Sequence, residues 1–161
     1  MRNIFVLAVA LGFALPAAAD DRLARFEGGI GVIPNGSENA AGARNTAVRG
    51  VPAAGQIWVI SRLSADVRTD GRISIDGRGL LLGAGDNVGT VGTNTTVRAR
   101  LFCNGVAFDA GPGDLAADGD FKIEGEVTNP AERVPDTCAQ PVLLILNGTG
   151  AAWFAAGIPK L

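Results

Sequence analysis

The side chains in this sequence that could perform acid-base chemistry are its carboxylates. Histidine and tyrosine are absent from the 161 residues, which excludes hydrolysis through Ser-His-Asp or Cys-His systems and removes the commonest zinc ligand. Two carboxylates can still hydrolyse a glycosidic bond if they converge in a cleft where burial raises the pKa of one. The candidates, which lie beside arginines or in glycine-rich loops, are Asp66, Asp76, Asp109, Asp114, Asp118 and Asp120. Such surroundings favour solvated charges and turn residues, so a paired-carboxylate hydrolase is the alternative interpretation.

Two loops have compositions that suggest ligands. Asp114, Asp118 and Asp120 give one loop the oxygen-rich composition of a calcium site, but the EF-hand spacing and its bidentate glutamate are missing. We expect a turn with local hydrogen bonds there. The run GAGDNVG at 83–89 lacks the GK[ST] ending and the following helix of a phosphate loop. The sequence therefore predicts neither a metal nor a cofactor.

Arginines form the second group of side chains with chemical potential. Counting in twos places six of them on the polar faces of predicted strands. They are Arg62, Arg68, Arg72, Arg78, Arg98 and Arg100. Guanidinium groups make paired hydrogen bonds with the carboxylate, sulfate or phosphate groups of anionic envelope polymers. The six arginines are therefore our candidate recognition surface, whereas a formal net charge of −2 offers no electrostatic drive toward nucleic acid.

The segment 57–82 positions four of these arginines as a predicted hairpin. Apolar and charged residues alternate on both sides of the TDG sequence at 69–71. A two-residue turn would place polar groups opposite the apolar face, whereas a three-residue loop pairs Val67 with Ile73. We therefore predict the three-residue loop, with Gly71 in the left-handed conformation that glycine adopts without steric cost.

A second hairpin is predicted around Asn104-Gly105, which is a type I′ turn signal. A two-residue turn there pairs Cys103 with Val106. Further along, a loop is expected over 112–119, and the uninterrupted apolar run at 142–146 predicts a strand that is covered on both faces.

The first 19 residues have the organisation of a secretory signal peptide. A basic start precedes an apolar run at 4–15 and small residues, with cleavage expected after Ala19. The mature chain, 20–161, has the length of one domain, and none of its stretches approaches the roughly 20 apolar residues that span a bilayer. We expect a secreted or periplasmic protein without a transmembrane segment in the mature chain.

Export also determines how the cysteines are interpreted. Cys103 and Cys138 are the only two, and in an oxidising compartment an even count most simply forms one disulfide. The closed loop of about 35 residues would be worth roughly 3 to 4 kcal/mol on the chain-entropy model. Reactive or metal-binding thiols are the alternative, which the absence of a CxxC spacing and of histidine disfavours.

The composition favours an all-β fold. With 23 glycines, 47% hydrophobic residues and no helix signal in the mature chain, we expect seven to nine short strands joined by tight turns. Two antiparallel sheets packed face to face would bury their apolar faces. We therefore predict a single antiparallel immunoglobulin-like β-sandwich domain with Greek-key links and one disulfide.

Several strings resemble those of uncharacterised bacterial exported proteins that carry signal peptides. They are GRGLLLGAG at 77–85, ADGDFKIEGEV at 117–127, CAQPVLLI at 138–145 and AAWFAAGIPK at 151–160. The resemblance covers most of the mature chain. It implies a shared exported domain with a bridge between Cys103 and Cys138, and it implies no activity, ligand or catalytic residue.

These observations favour an exported domain that binds or scaffolds rather than catalyses. Its expected partners are anionic envelope polymers or another exported protein. The alternatives are the paired-carboxylate hydrolase and a subunit of an exported assembly, for which an exposed edge strand would be the sign.

Overall fold

The computed structural model describes residues 21–34 and 47–160. The predicted signal peptide, 1–19, lies outside the described residues. All regular elements within the described part are strands, which confirms the all-β prediction, and no helix there could cross a membrane. The strands are β1 (Arg22–Gly31), β2 (Trp58–Val59), β3 (Arg62–Arg68), β4 (Arg72–Arg78), β5 (Leu81–Leu82), β6 (Thr96–Cys103), β7 (Val106–Asp114), β8 (Phe121–Glu126), β9 (Val142–Asn147) and β10 (Trp153–Pro159).

Eight of these strands form one antiparallel sheet in the order β7-β6-β9-β10-β1-β3-β4-β8, and β2 pairs with β5 in a small second sheet. The edge strands β7 and β8 come together, since the N–H groups of Asp109 and Thr128 each donate to the other residue's carbonyl at 2.9 Å. A bridge between Leu115 and Phe121 joins their other ends. The large sheet is therefore nearly closed and barrel-like.

The immunoglobulin-like sandwich is not confirmed. Its two layers would be separate sheets, whereas the described strands form one continuous curled sheet with a small companion. Gly113 permits the close approach of β7 and β8, because a Cβ at this position would overlap the carbonyl oxygen of Lys122. Ten strands are present in the described residues rather than seven to nine. Each arm of the hairpin predicted over 57–82 divides in two, the first into β2 and β3 and the second into β4 and β5.

Both predicted hairpins are confirmed in register. Between β3 and β4, Val67 pairs with Ile73, and Gly71 has a φ of 88°. Between β6 and β7, Cys103 pairs with Val106. Asn104 and its following glycine both have positive φ, as a type I′ turn requires. The loop prediction over 112–119 was wrong at its start, because β7 continues to Asp114 beside β8.

The interior of the curled sheet is apolar, and a second apolar layer lies on the outside of β6 and β9. Leu144 and Leu146 face outward with the arginines opposite them in β6, yet each is at most 1% exposed. The segment before β2 pairs with the start of β10, since the Trp153 N–H donates to the Pro52 carbonyl at 3.0 Å. The Arg49 guanidinium lies 5.9 Å from the Phe102 ring centroid. Leu143 to Leu146 are all buried, so β9 is covered on both faces, as predicted.

The predicted disulfide between Cys103 and Cys138 is present, with 5.0 Å between the two Cα atoms. It connects the end of β6 to the irregular segment that precedes β9. Asn104 strengthens the same junction, because its side-chain amide donates to the Thr137 carbonyl at 2.8 Å and its oxygen accepts from the Ala139 N–H at 2.9 Å. The long connection between β8 and β9 is thereby attached to the β6–β7 turn.

Replacing both cysteines (Cys103→Ala/Cys138→Ala) should lower the free energy of unfolding by about 3 kcal/mol, because the open loop gains entropy in the unfolded chain. Urea denaturation measures the difference. A reducing agent should lower the stability of the unmodified protein to a similar degree and leave the double variant unchanged. A loss below about 0.5 kcal/mol in both comparisons would contradict the structural role of the bond.

Candidate functional site

Two of the six predicted arginines line a groove on the outer face of β3, β4 and β8. This hairpin groove encloses about 360 Å³. Its side chains come from Asp66, Arg68, Arg72, Ile73, Ser74, Glu124 and Gly125. Asp66 pairs with Ser74 across β3 and β4, and Ser74 pairs with Glu124 across β4 and β8. Ser74 and Gly125 are small and lie between longer charged side chains, and this difference in length creates the groove.

The basic end of the hairpin groove lies beside the 69–71 loop. Arg68 donates from Nη1 to the Asp21 carboxylate at 2.7 Å, and Arg72 donates from Nε to Asp70 at 2.6 Å. The backbone N–H of Arg72 also donates to Asp70, and this bond, followed by the guanidinium, lowers the pKa of the Asp70 carboxyl. A guanidinium has five N–H donors. Each arginine therefore keeps donors beyond those used by its aspartate.

The acidic end of the groove contains two carboxylates separated by one strand. Asp66 and Glu124 flank Ser74, which sets their Cα atoms about 9.5 Å apart from the spacing of neighbouring strands. Arg22 donates from Nε to Asp66 at 2.8 Å, and the Asp66 side chain is 49% exposed. Asp66 therefore accepts a charge-assisted hydrogen bond while about half of its side chain stays open to solvent.

Arg62 and Arg78 lie opposite one another at the far end of the β3–β4 hairpin. Arg78 donates to Asp76 at 3.0 Å and to Asp120 at 2.6 Å, and these two hydrogen bonds raise the pKa of its guanidinium. The same Arg78 contact lowers the pKa of Asp76. Arg62 makes no ion pair within the part of the chain that the structure describes.

The aspartate-rich loop is attached to the end of β4. Asp120 accepts from the Gly79 N–H at 3.1 Å as well as from Arg78, and Asp118 accepts from the Asp120 N–H at 3.1 Å. These bonds are those of a turn that anchors one strand end. Asp114 lies in β7 instead. Among the described residues, no three acidic, cysteine or histidine side chains converge as a metal site.

Arg98 and Arg100 lie in β6, which β9, β10 and β1 separate from β3. They line a second groove of about 280 Å³ beside the turn at 148–150. Arg100 makes a bidentate pair with Asp109 at 2.6 and 2.9 Å, which raises the pKa of the guanidinium, and Arg98 donates to the Gly148 carbonyl at 3.1 Å. The structure thus divides the six arginines into a group on β3 and β4 and a pair on β6.

Sequence reasoning missed Glu124 and Ser74 as parts of the groove. The alternation of Glu124 with apolar residues was visible, and so was its outward direction. The strand beside Glu124 could not be identified from the sequence, because β8 pairs with β4 across more than 40 residues of intervening chain.

Comparisons of the chain with protein-family models, with curated proteins and with solved structures find no significant match. The site is therefore interpreted from its own geometry.

The Asp76 to Arg78 pair predicts an acid-dependent loss of stability. Because the folded-state pKa of Asp76 is lowered, the pair stabilises the fold above the unfolded-state pKa of about 3.9, and this contribution is lost as the pH falls through the folded-state value. Asp76→Asn should therefore destabilise the protein near neutral pH by less than about 1 kcal/mol and reduce the acid dependence of the urea midpoint. Asp86→Asn, in an exposed loop, is the matched control. Equal pH profiles for Asp76→Asn and the unmodified protein would show that the pair contributes nothing.

Proposed function

We propose that this protein is an exported, non-catalytic binding domain whose hairpin groove recognises anionic groups of an envelope polysaccharide. The observation that carries the proposal is the placement of Arg68 and Arg72 together in one groove, each with donors beyond the ones its aspartate occupies. A carboxylate or sulfate held between the two guanidiniums would relieve the repulsion of these like charges. The Ser74 hydroxyl and the Glu124 carboxylate would meet neighbouring hydroxyl groups of the polymer.

The disulfide supports export. Bonds of this type form and persist in the periplasm and outside the cell, and thiols are kept reduced in the cytosol. The bond between Cys103 and Cys138 is therefore compatible with a secreted or periplasmic domain, in agreement with the predicted leader at 1–19.

A hydrolase is the second candidate because Asp66 and Glu124 flank one strand position in register. An inverting glycosidase needs two carboxyl groups roughly 6.5 to 9.5 Å apart with a water molecule between them. A glycosidase also needs one carboxyl whose pKa is raised by burial, and Asp66 is exposed and paired with Arg22. Binding is therefore the stronger proposal.

An assembly subunit that recruits partners by strand addition has less support. Strand addition needs a row of free backbone groups along a sheet edge. The two edges of the large sheet face each other, and hydrogen bonds between Asp109 and Thr128 occupy part of this boundary.

Binding to polygalacturonate and to dextran sulfate, as carboxylate and sulfate probes, tests the proposal. Arg68→Gln/Arg72→Gln should weaken binding at least about tenfold, since hydrogen bonds to charged groups contribute roughly 1.5 to 3 kcal/mol each. Arg98→Gln/Arg100→Gln changes the net charge equally on another part of the sheet and is the matched control. We expect the control to bind within about twofold of the unmodified protein, and both interactions to weaken as salt is added.

Two results would overturn the proposal. Equal loss of affinity in the two double variants would mean that binding follows net charge and that the hairpin groove is not a site. Hydrolysis of either polymer that is abolished by Glu124→Gln would favour the hydrolase.

A further inference from the structure

A third recess lies where the small β2–β5 sheet meets β10. Two hollows of about 440 and 230 Å³ adjoin there, and both are lined by Gln56, Trp58 and Asn94. The larger hollow falls within the range of about 300 to 1,000 Å³ that is typical of small-ligand sites. We call the two hollows together the amide groove.

The lining of the amide groove is uncharged throughout. Its polar side chains are those of Gln56, Asn87, Thr90, Thr93, Asn94 and Asn147. The apolar part includes Leu82, Phe154 and Trp58. This composition contrasts with the hairpin groove, in which arginines and carboxylates dominate. An ion would gain little here, because none of the lining residues offers an opposite charge.

The floor of the amide groove is held rigidly. The rings of Trp58 and Phe154 stack with 4.0 Å between their centroids and an angle of 21°. Trp58 and Leu82 are each only 3% exposed, so the apolar floor that they form offers a narrow contact. The backbone N–H of Trp58 donates to the Val32 carbonyl at 2.9 Å, and this bond connects the floor to the residue that follows β1.

The wall of the groove is a loop that is folded upon itself. The Leu82 N–H donates to the Thr90 carbonyl, and the Gly89 N–H donates to the Leu82 carbonyl, each at 2.8 Å. The Thr90 hydroxyl donates to the Asn87 carbonyl at 2.9 Å, and the Asn94 amide donates to the Val91 carbonyl at 3.1 Å. A wall that is ordered before a ligand arrives reduces the entropy lost on binding.

Several lining groups retain their hydrogen-bonding capacity. Within residues 21–34 and 47–160, the side chains of Gln56, Asn87 and Thr93 make no hydrogen bond to protein groups, and the Asn94 Oδ1 accepts none. Asn147 differs, because its Oδ1 accepts from the Ala151 N–H at 2.8 Å. Amides and hydroxyls present a donor and an acceptor in close proximity, which matches the adjacent hydroxyls of a pyranose ring.

We propose that the amide groove binds an uncharged sugar unit through Gln56, Asn87 and Asn94, with the ring lying above the floor formed by Trp58 and Leu82. The ligand class is a neutral oligosaccharide, with hydroxyl or N-acetyl groups facing the amides. This site is separate from the hairpin groove, and its existence does not depend on the recognition of anions there.

Titration of the isotopically labelled full chain with N,N′-diacetylchitobiose and with cellobiose, followed by NMR, tests the proposal. One of the two disaccharides should shift the Trp58 indole N–H signal and the side-chain amide signals of Gln56 and Asn94. A galacturonate disaccharide should leave these signals unchanged, since the lining carries no cation. Shifts confined to Arg68, Arg72 and Ser74 for either neutral disaccharide would overturn the assignment, as would no shift at millimolar concentrations.

Gln56→Ala/Asn87→Ala removes two exposed amides whose side chains make no hydrogen bond to the described part of the protein. It should weaken binding of the active disaccharide about tenfold or more, because each lost hydrogen bond corresponds to roughly fivefold in affinity. The matched control, Thr137→Ala/Gln140→Asn, changes two exposed polar residues beside the disulfide and should bind normally. Unchanged affinity in the first variant, with its backbone spectrum intact, would overturn the proposal.

Discussion

The arrangement of this molecule depends on the contact between the two edge strands of its large sheet. Backbone hydrogen bonds between Asp109 and Thr128, and a bridge between Leu115 and Phe121, join β7 to β8. Gly113 is needed at this seam because a side chain there would collide with the Lys122 carbonyl. Closure satisfies edge groups that would otherwise face solvent, and it encloses one apolar interior with alternate residues from all eight strands.

Closure also determines what the outer surface can do. Charged residues on the outer face of β1, β3 and β4 pair across strands, as Arg22 does with Asp66, or along one strand, as Arg78 does with Asp76. Exposed pairs of this kind contribute little to stability, but they set the orientation of each guanidinium. The arginines on β6 lie on another part of the sheet, where Arg100 pairs with Asp109 and Arg98 donates to the Gly148 carbonyl. Charge is thus organised in small local groups, and an anionic ligand would meet two arginines at a time.

Local pairing could be predicted from the sequence, and long-range pairing could not. The Gly71 loop and the Asn104 turn fix their hairpins within a few residues, so alternation and turn chemistry were sufficient for register. The pairings of β1 with β10 and of β4 with β8 join segments far apart in the chain, where no local signal operates. The burial of β9 on both faces was indicated by its continuous apolar run. The same limitation explains why the six arginines were grouped as one surface and why Glu124 was missed.

The most direct test of this account is amide hydrogen exchange at the seam between β7 and β8. If the sheet is nearly closed, the N–H groups of Asp109 and Thr128 should exchange far more slowly than free edge groups, with protection that approaches that of amides paired within β3 and β4. Exchange at the rate of an exposed strand edge, while the β3–β4 amides remain protected, would show that the sheet is open and would contradict the account.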